Sequence, residues 1–188
     1  RAVSETTKNL GKVAPDWTMG ISNTLRYRNL SLSFLIDVRY GGVMYSGTVS
    51  DLRVNGMAEE TIGKNRTDIV DKGVKQDGTE NTTAITPYQF WSNNYSSKVS
   101  EANVFDATFV KLREMVLSYQ MPQRWFKNCF IGSLALGVEG RNLWLMKSNV
   151  PHIDPETNIF GPSAVGSGVE YSAIPTTRSW GFNIKLTF

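Results

Sequence analysis

Cysteine and histidine are almost missing from this 188-residue sequence, which holds only Cys129 and His152. One cysteine excludes an internal disulfide, and one histidine excludes a His-rich metal site. Cys129, in Trp125-Phe-Lys-Asn-Cys-Phe-Ile131, reads as a small apolar filler. Long apolar runs are absent too. None approaches the about 20 residues of a membrane-spanning helix, and none has the form of a signal peptide. Charge of one sign is also lacking: 20 basic residues against 17 acidic give a net +3, too balanced to argue for nucleic acid. Charged residues make up only 20% of the chain while 16 glycines punctuate it, as expected for many strands and turns. Arg1 is not a natural start, so the sequence is expected to be a piece of something longer.

What is present is alternation. Trp180, Phe182, Ile184, Leu186 and Phe188 share one parity, and Ser179, Gly181, Asn183, Lys185 and Thr187 share the other. A period of two is the mark of a strand with two different faces. Its apolar side runs to the last residue, whereas the ends of soluble domains are usually frayed and polar. A lipid-facing strand accounts for both features. From Trp17, the residues Met19, Ile21, Leu25 and Tyr27 oppose Thr18, Gly20, Ser22, Thr24 and Arg26, with Asn23 as the misfit. After a tight-turn candidate at Arg28-Asn29, Leu30, Leu32, Phe34, Ile36, Val38 and Tyr40 oppose Ser31, Ser33, Asp37 and Arg39, with Leu35 as the misfit. Two such runs predict a long hairpin. A strand ending near Pro122 keeps its parity only if a bulge near Arg113-Glu114 shifts the faces by one residue.

The expected strands cover about 16–27, 29–45, 107–121, 131–145 and 177–188, with long loops at 46–106 and 146–176. Their connections alternate short, long, short, long. Short turns therefore fall at one end of the sheet and long loops at the other, as in outer-membrane barrels with short periplasmic turns and longer extracellular loops. Trp17, Tyr40, Trp144 and Trp180 lie toward the long-loop ends and Tyr27 and Phe188 toward the short-turn end, where aromatic girdles would sit. The fold class expected is all-β: antiparallel up-and-down strands forming part of a transmembrane β-barrel, with two long extracellular loops.

Several segments, in order along nearly the whole chain, resemble the TonB-dependent outer-membrane transporters of the SusC/RagA type. They are Pro15-Asp-Trp-Thr-Met-Gly20, Arg26-Tyr-Arg-Asn-Leu30, Tyr40-Gly-Gly-Val43, Phe109-Val-Lys-Leu-Arg-Glu114 with Leu117-Ser-Tyr119 and Pro122, Gly140-Arg-Asn-Leu143, Ile153-Asp-Pro-Glu156, and Pro175-Thr-Thr-Arg-Ser-Trp-Gly181 with terminal Phe188. The resemblance implies the last five strands of a 22-stranded barrel, the plug domain being absent from these residues. It implies import of large nutrients, glycans or oligopeptides, across the bacterial outer membrane. It also implies the partners: the rest of the barrel and plug, a SusD-like surface lipoprotein as lid, TonB acting through the plug, and the barrel-assembly machinery. In such proteins a terminal aromatic on an alternating strand is the assembly signal, which Ile184, Leu186 and Phe188 match. No cofactor, metal or catalytic residue is implied.

Candidate sites follow from residue types. Tyr88, Trp91 and Tyr95, with Phe90, cluster among Asn93 and Asn94, a mixture suited to stacking on sugar rings or to contact with a lid. The bland alternative is that these aromatics pack the loop onto itself. Asp37, Arg39, Glu139, Arg141 and Lys185 fall on the polar parity and are expected to line the lumen. Asp154 and Glu156 flank Pro155, which favours a rigid exposed turn over calcium ligands or paired acid/base carboxylates. The Asn-x-Ser/Thr triplets at Asn29, Asn65, Asn81 and Asn94 carry little weight in a chain so rich in these residues. Two other classes make different demands on these residues. A soluble all-β carbohydrate-binding domain would bury the apolar strand faces between two sheets. A membrane-bound hydrolase needs a nucleophile motif, and His152 has no Gly-x-Ser-x-Gly near it.

Overall fold

The computed structural model describes residues 6–62, 66–96, 99–127, 130–159 and 167–188. Cys129 and Asn65 lie outside them. In chain order the strands are β1 (Trp17–Tyr27), β2 (Leu30–Tyr40), β3 (Val43–Ser46), β4 (Ile69–Val70), β5 (Ala84–Ile85), β6 (Val104–Asp106), β7 (Phe109–Gln120), β8 (Ser133–Ser148), β9 (Val169–Glu170) and β10 (Ser179–Thr187). Two short helices join them, α1 (Gly47–Val54) and α2 (Pro87–Trp91). No described helix is long and apolar enough to cross a membrane. The chain divides into two compact units.

The sheet unit comprises Pro15–Gly41, Ala107–Asn149 and Thr176–Phe188. It is one five-stranded antiparallel sheet in the order β1-β2-β7-β8-β10. Register aligns the alternating residues into rows that cross all five strands. Leu25, Leu32, Leu117, Val138 and Phe182 form one row, and Tyr27, Leu30, Tyr119, Leu136 and Ile184 the next. These rows lie on the same face, because side-chain direction repeats every second residue. The misfit Leu35 stands on the other face, its Cδ1 3.7 Å from where a side chain on Gly20 would begin. The cross-strand glycine leaves the room it fills.

The parity break in β7 is a bulge. Leu35 pairs with Glu114 and Ile36 with Leu112, so Arg113 is an extra residue against β2. Against β8, Leu112 pairs with Trp144 and Glu114 with Arg141, leaving Arg113 opposite Asn142 and Leu143. Asn142 adopts φ +51°, a left-handed conformation that asparagine tolerates better than most residues. At the β1–β2 turn the positive φ falls on Arg28 (+53°) instead of on Asn29. Asn29 serves otherwise: its Nδ2 donates to Gln120 O at 2.7 Å, while its own carbonyl accepts from Gln120 N at 2.8 Å.

The loop unit comprises Arg1–Ala14, Gly42–Asp106 and Val150–Pro175. Several expected bounds are corrected. The strand expected over 29–45 is cut at Gly41-Gly42, both at positive φ (+75° and +83°), and Val43–Ser46 joins a different sheet, β6-β3-β9. The stretches 46–106 and 146–176 are not plain loops. They carry α1, α2, the β4–β5 pair, β6 and β9, and β9 runs parallel to β3. Strand β8 also continues to Ser148, past the expected end at 145.

Ser46 caps α1, its Oγ accepting from Val49 N at 3.0 Å. The same Oγ donates to Glu170 Oε2 at 2.6 Å, and Thr48 Oγ1 donates to Glu170 Oε1, also at 2.6 Å. Glu170 is fully buried, so these bonds replace the water a carboxylate would otherwise demand. A hydrophobic period could not announce such a core, because half of it is polar.

Candidate functional site

The sheet's polar face carries the first candidate site. Register puts Asp37, Arg39, Glu139, Arg141 and Lys185 on that face, together with Lys111 and Glu114, which the parity argument missed. The bulge adds Arg113. Its Nη2 donates to Asp37, and its Nη1 donates to Asn142 Oδ1 at 3.1 Å. Asn142 Nδ2 in turn donates to Thr177 O at 3.1 Å. Arg141 stands 3.7 Å from Glu114 and 3.9 Å from Glu139. The middle of the face is therefore a strip of alternating charge held by the bulge. A sequence signal did exist: three charged residues within Lys111–Glu114 fit no two-residue period unless an extra residue intervenes.

Toward the turn end the same face changes character. Arg26, Ser31, Ser118, Ala135 and Lys185 line an open groove of about 420 Å³. Arg26 is on β1 and Lys185 on β10, four strand spacings or about 19 Å apart along the sheet. Side chains from both edges share one groove, so the polar face is concave. The opposite, apolar face is uncovered: Phe182 is 85% exposed, Ile184 68% and Leu25 56%. At its turn end Phe188 stacks on Phe130 with centroids 5.8 Å apart, and at the other end Trp17 stacks on Tyr40 at 5.2 Å.

In the loop unit the second candidate site is built on α2. Thr86 and Gln89 form a capping box, and Pro87 at the first turn fixes its start. The helix and the turn after it bring Phe90, Trp91 and Tyr95 together, with centroids 4.9–5.2 Å apart. Tyr88 and Asn93 stay exposed, and the side chain of Asn94 lies outside what is described. Arg53 of α1 covers the Trp91 ring at 4.8 Å. Its Nε donates to Glu60 Oε1 at 2.6 Å, and its Nη1 donates to Ala102 O at 2.7 Å and Asn103 Oδ1 at 2.9 Å. Asn103, fully buried, donates to Tyr95 O at 3.1 Å. Most of this cluster is thus spent on packing, which leaves Tyr88 and Asn93 as its outward groups.

Glu60 also meets His152 Nε2 at 3.1 Å. Partial burial pushes the Glu60 carboxyl up, but the Arg53 hydrogen bond, its own backbone N–H and His152 together bring it down to about 2. Asp154 closes the expected turn, its Oδ1 accepting from Glu156 N at 3.2 Å and its carbonyl from Thr157 N at 3.1 Å, but the turn is not exposed, since Pro155 is fully buried.

The sheet unit is thus a single antiparallel sheet, polar on its concave side and bare and apolar on the other. No protein-family profile matches the chain. Two curated proteins of Formosa agariphila do: TonB-dependent receptor P3 is 25% identical over 185 residues, and TonB-dependent receptor P26 is 26% identical over 182. These alignments cover 96% and 95% of this chain but 17% and 18% of the relatives, so the chain spans under a fifth of their length. Among solved structures, the RagAB peptide importer in its open-open state matches with a TM-score of 0.60 at 18% identity. The RagAB peptide transporter matches with a TM-score of 0.60 at 21% identity. Each match covers 94% of this chain and 17% of the other. The chain therefore resembles TonB-dependent receptors along nearly all its length. By name these relatives are receptors and importers, not enzymes.

Proposed function

We propose that these residues are wall and external loops of a TonB-dependent transporter in the bacterial outer membrane, importing large nutrients. The carrying observation is the uncovered apolar face that crosses all five strands, with Phe182 and Ile184 among its most exposed members. In water such a face would be an aggregation surface. Against hydrocarbon it is satisfied, and aromatic residues at both its ends suit the two membrane interfaces. A soluble carbohydrate-binding sandwich would have buried Phe182, Ile184 and Leu186 beneath a second sheet, and these residues are exposed instead.

Edge strands β1 and β10 would continue into further strands of the same barrel, 22 in all by the SusC/RagA resemblance, since an open edge is intolerable in lipid. Asp37, Arg39, Glu139, Arg141 and Lys185 would line the lumen, and Ile184, Leu186 and Phe188 would be read by the barrel-assembly machinery. A SusD-like lipoprotein would close the loop side, where Tyr88 and Asn93 are available for contact. TonB would act through a plug outside these residues. Oligopeptides are favoured over glycans as cargo, because the matched structures are peptide importers and the loop aromatics pack mostly on each other. The test is uptake of labelled oligopeptides and oligosaccharides by cells carrying the intact gene, with and without TonB. TonB-dependent accumulation of neither would overturn the reading.

A further inference from the structure

At the turn end of the sheet the apolar face meets charge. On that face Leu30, Tyr119, Leu136 and Ile184 form one row, and Leu117, Val138 and Phe182 belong to the next. Between the rows runs an open apolar groove of about 400 Å³. It crosses from β2 to β10, three strand spacings or about 14 Å. One end of it lies beside a cation. Leu30 pairs with Tyr27 across the β1–β2 turn, and the Arg28 guanidinium lies over the Tyr27 ring at 5.3 Å. Arg28 also borders the polar groove, so it stands at the rim between the two faces. The β7–β8 connection lies at the same end and adds exposed Arg124 and Lys127 on either side of Trp125, itself 62% exposed. The segments that build this end, 24–33, 116–138 and 182–188, contain not one Asp or Glu. Among the described residues Arg28, Arg124 and Lys127 meet no carboxylate.

From this geometry we infer that the turn end binds an anionic glycerophospholipid, one acyl chain lying in the groove and the phosphate headgroup at the Arg28 rim. The proposal rests on the transporter reading above, which turns the apolar face to hydrocarbon and puts the short turns on the periplasmic side. The groove dictates the tail. Its lining is almost entirely hydrocarbon, which suits an acyl chain and would leave a peptide backbone or sugar hydroxyls without hydrogen bonds. Barrel strands tilt by about 35–45°, so a groove that crosses them is inclined to the membrane plane, as an acyl chain is. The rim dictates the head. Basic groups next to a membrane draw anionic lipid to them. A guanidinium can hold a phosphate through two parallel hydrogen bonds, and the Tyr27 hydroxyl can donate to the same group.

The intact transporter, purified from outer membranes in detergent and washed free of native lipid, is incubated with equal amounts of dioleoyl phosphatidylglycerol and dioleoyl phosphatidylcholine. After gel filtration the retained lipid is measured by mass spectrometry. Phosphatidylglycerol is expected to be retained at least about fivefold over phosphatidylcholine, the preference one basic residue near a membrane surface supplies. Arg28→Ser combined with Arg124→Ser brings the ratio toward one, whereas Arg28→Lys keeps it. Salt at 1 M, where the Debye length is about 3 Å, lowers it to within about twofold. Val138→Trp fills the groove without touching the charge and at least halves the phosphatidylglycerol retained. A heat-modifiable barrel that holds the two lipids equally overturns the proposal alone. So does a preference that the double variant leaves unchanged, or retention that Val138→Trp does not lower. Displacement of the lipid by excess glycerol phosphate would mean a headgroup site without the groove and would overturn it too. If no heat-modifiable barrel forms at all, the transporter reading falls and the proposal with it.

Discussion

The two units of this chain are specified in opposite ways. In the sheet unit, polar and apolar residues alternate, neighbouring strands are joined by backbone ladders interrupted only in β7, and the apolar side chains are left outside. In the loop unit there is no period, and the fully buried side chains include Glu170, Asn103, Thr61 and Ser46, each held by hydrogen bonds to particular partners. The first unit rests on repeated, interchangeable contacts, and under the proposed function its outer face meets hydrocarbon. The second rests on a few irreplaceable ones and carries its own polar core. Damage should therefore spread differently: by depth along the strands in one, by partner in the other.

The sharpest way to break this contrast is Ile184→Arg, in the apolar row of β10. If that face meets lipid near the midplane, the substitution costs about 2–4 kcal/mol in a bilayer folding assay. The same change at its neighbour Lys185 is conservative and should cost almost nothing. Equal effects at both positions would refute lipid contact.

Ser46→Ala probes the other unit. It removes the cap of α1 and one donor to a buried carboxylate, for an expected loss of about 1–3 kcal/mol. Hydrogen exchange should show the loss confined to α1 and β9, with the sheet ladders untouched. Ladders that open together with α1 would mean that the units are not independent.

Acid gives a third test. Glu60 is held at about 2 in the folded chain against an ordinary 4.5, so its stabilising contribution is present above pH 4.5 and is lost as pH falls toward 2. Partial solvent exposure screens the Arg53–Glu60 pair, which keeps the effect modest. Arg53→Met should move the loss up into the ordinary carboxylate range or above, because burial then acts without its main opponent. An acid transition in the Trp91 fluorescence that Arg53→Met leaves unmoved would sink this assignment. The smallest effect is expected at Tyr88, where exposure limits Tyr88→Ala to within about 0.5 kcal/mol of wild-type stability. Impaired uptake or lid binding in that variant would therefore report contact and not misfolding.

How much was legible follows from the same contrast. The antiparallel all-β class could be read from β1, β2 and β10, because a face that repeats every second residue leaves its pattern in the chain. The bulge was readable as a parity break at Arg113-Glu114, though its use to recruit Arg113 toward Asp37 was not. Gly41-Gly42 was visible as a boundary. That Val43–Ser46 leaves for a second sheet was not, since a four-residue run carries no information about its partner. Stretch 46–106 read as loop because its contacts are single and long-range: Arg53 finds Asn103 fifty residues on, and Ser46 finds Glu170 after 124.

The sequence by itself determined that strands form, which side chains share a face, and that one face is oily to its last residue. These are local consequences of a two-residue period. Only the tertiary structure decided that the polar face is concave, that its ion pairs centre on a bulge, and that a polar loop closes over Glu170. Curvature and long-range pairing are set by how strands and loops meet in space, which no spacing along the chain encodes.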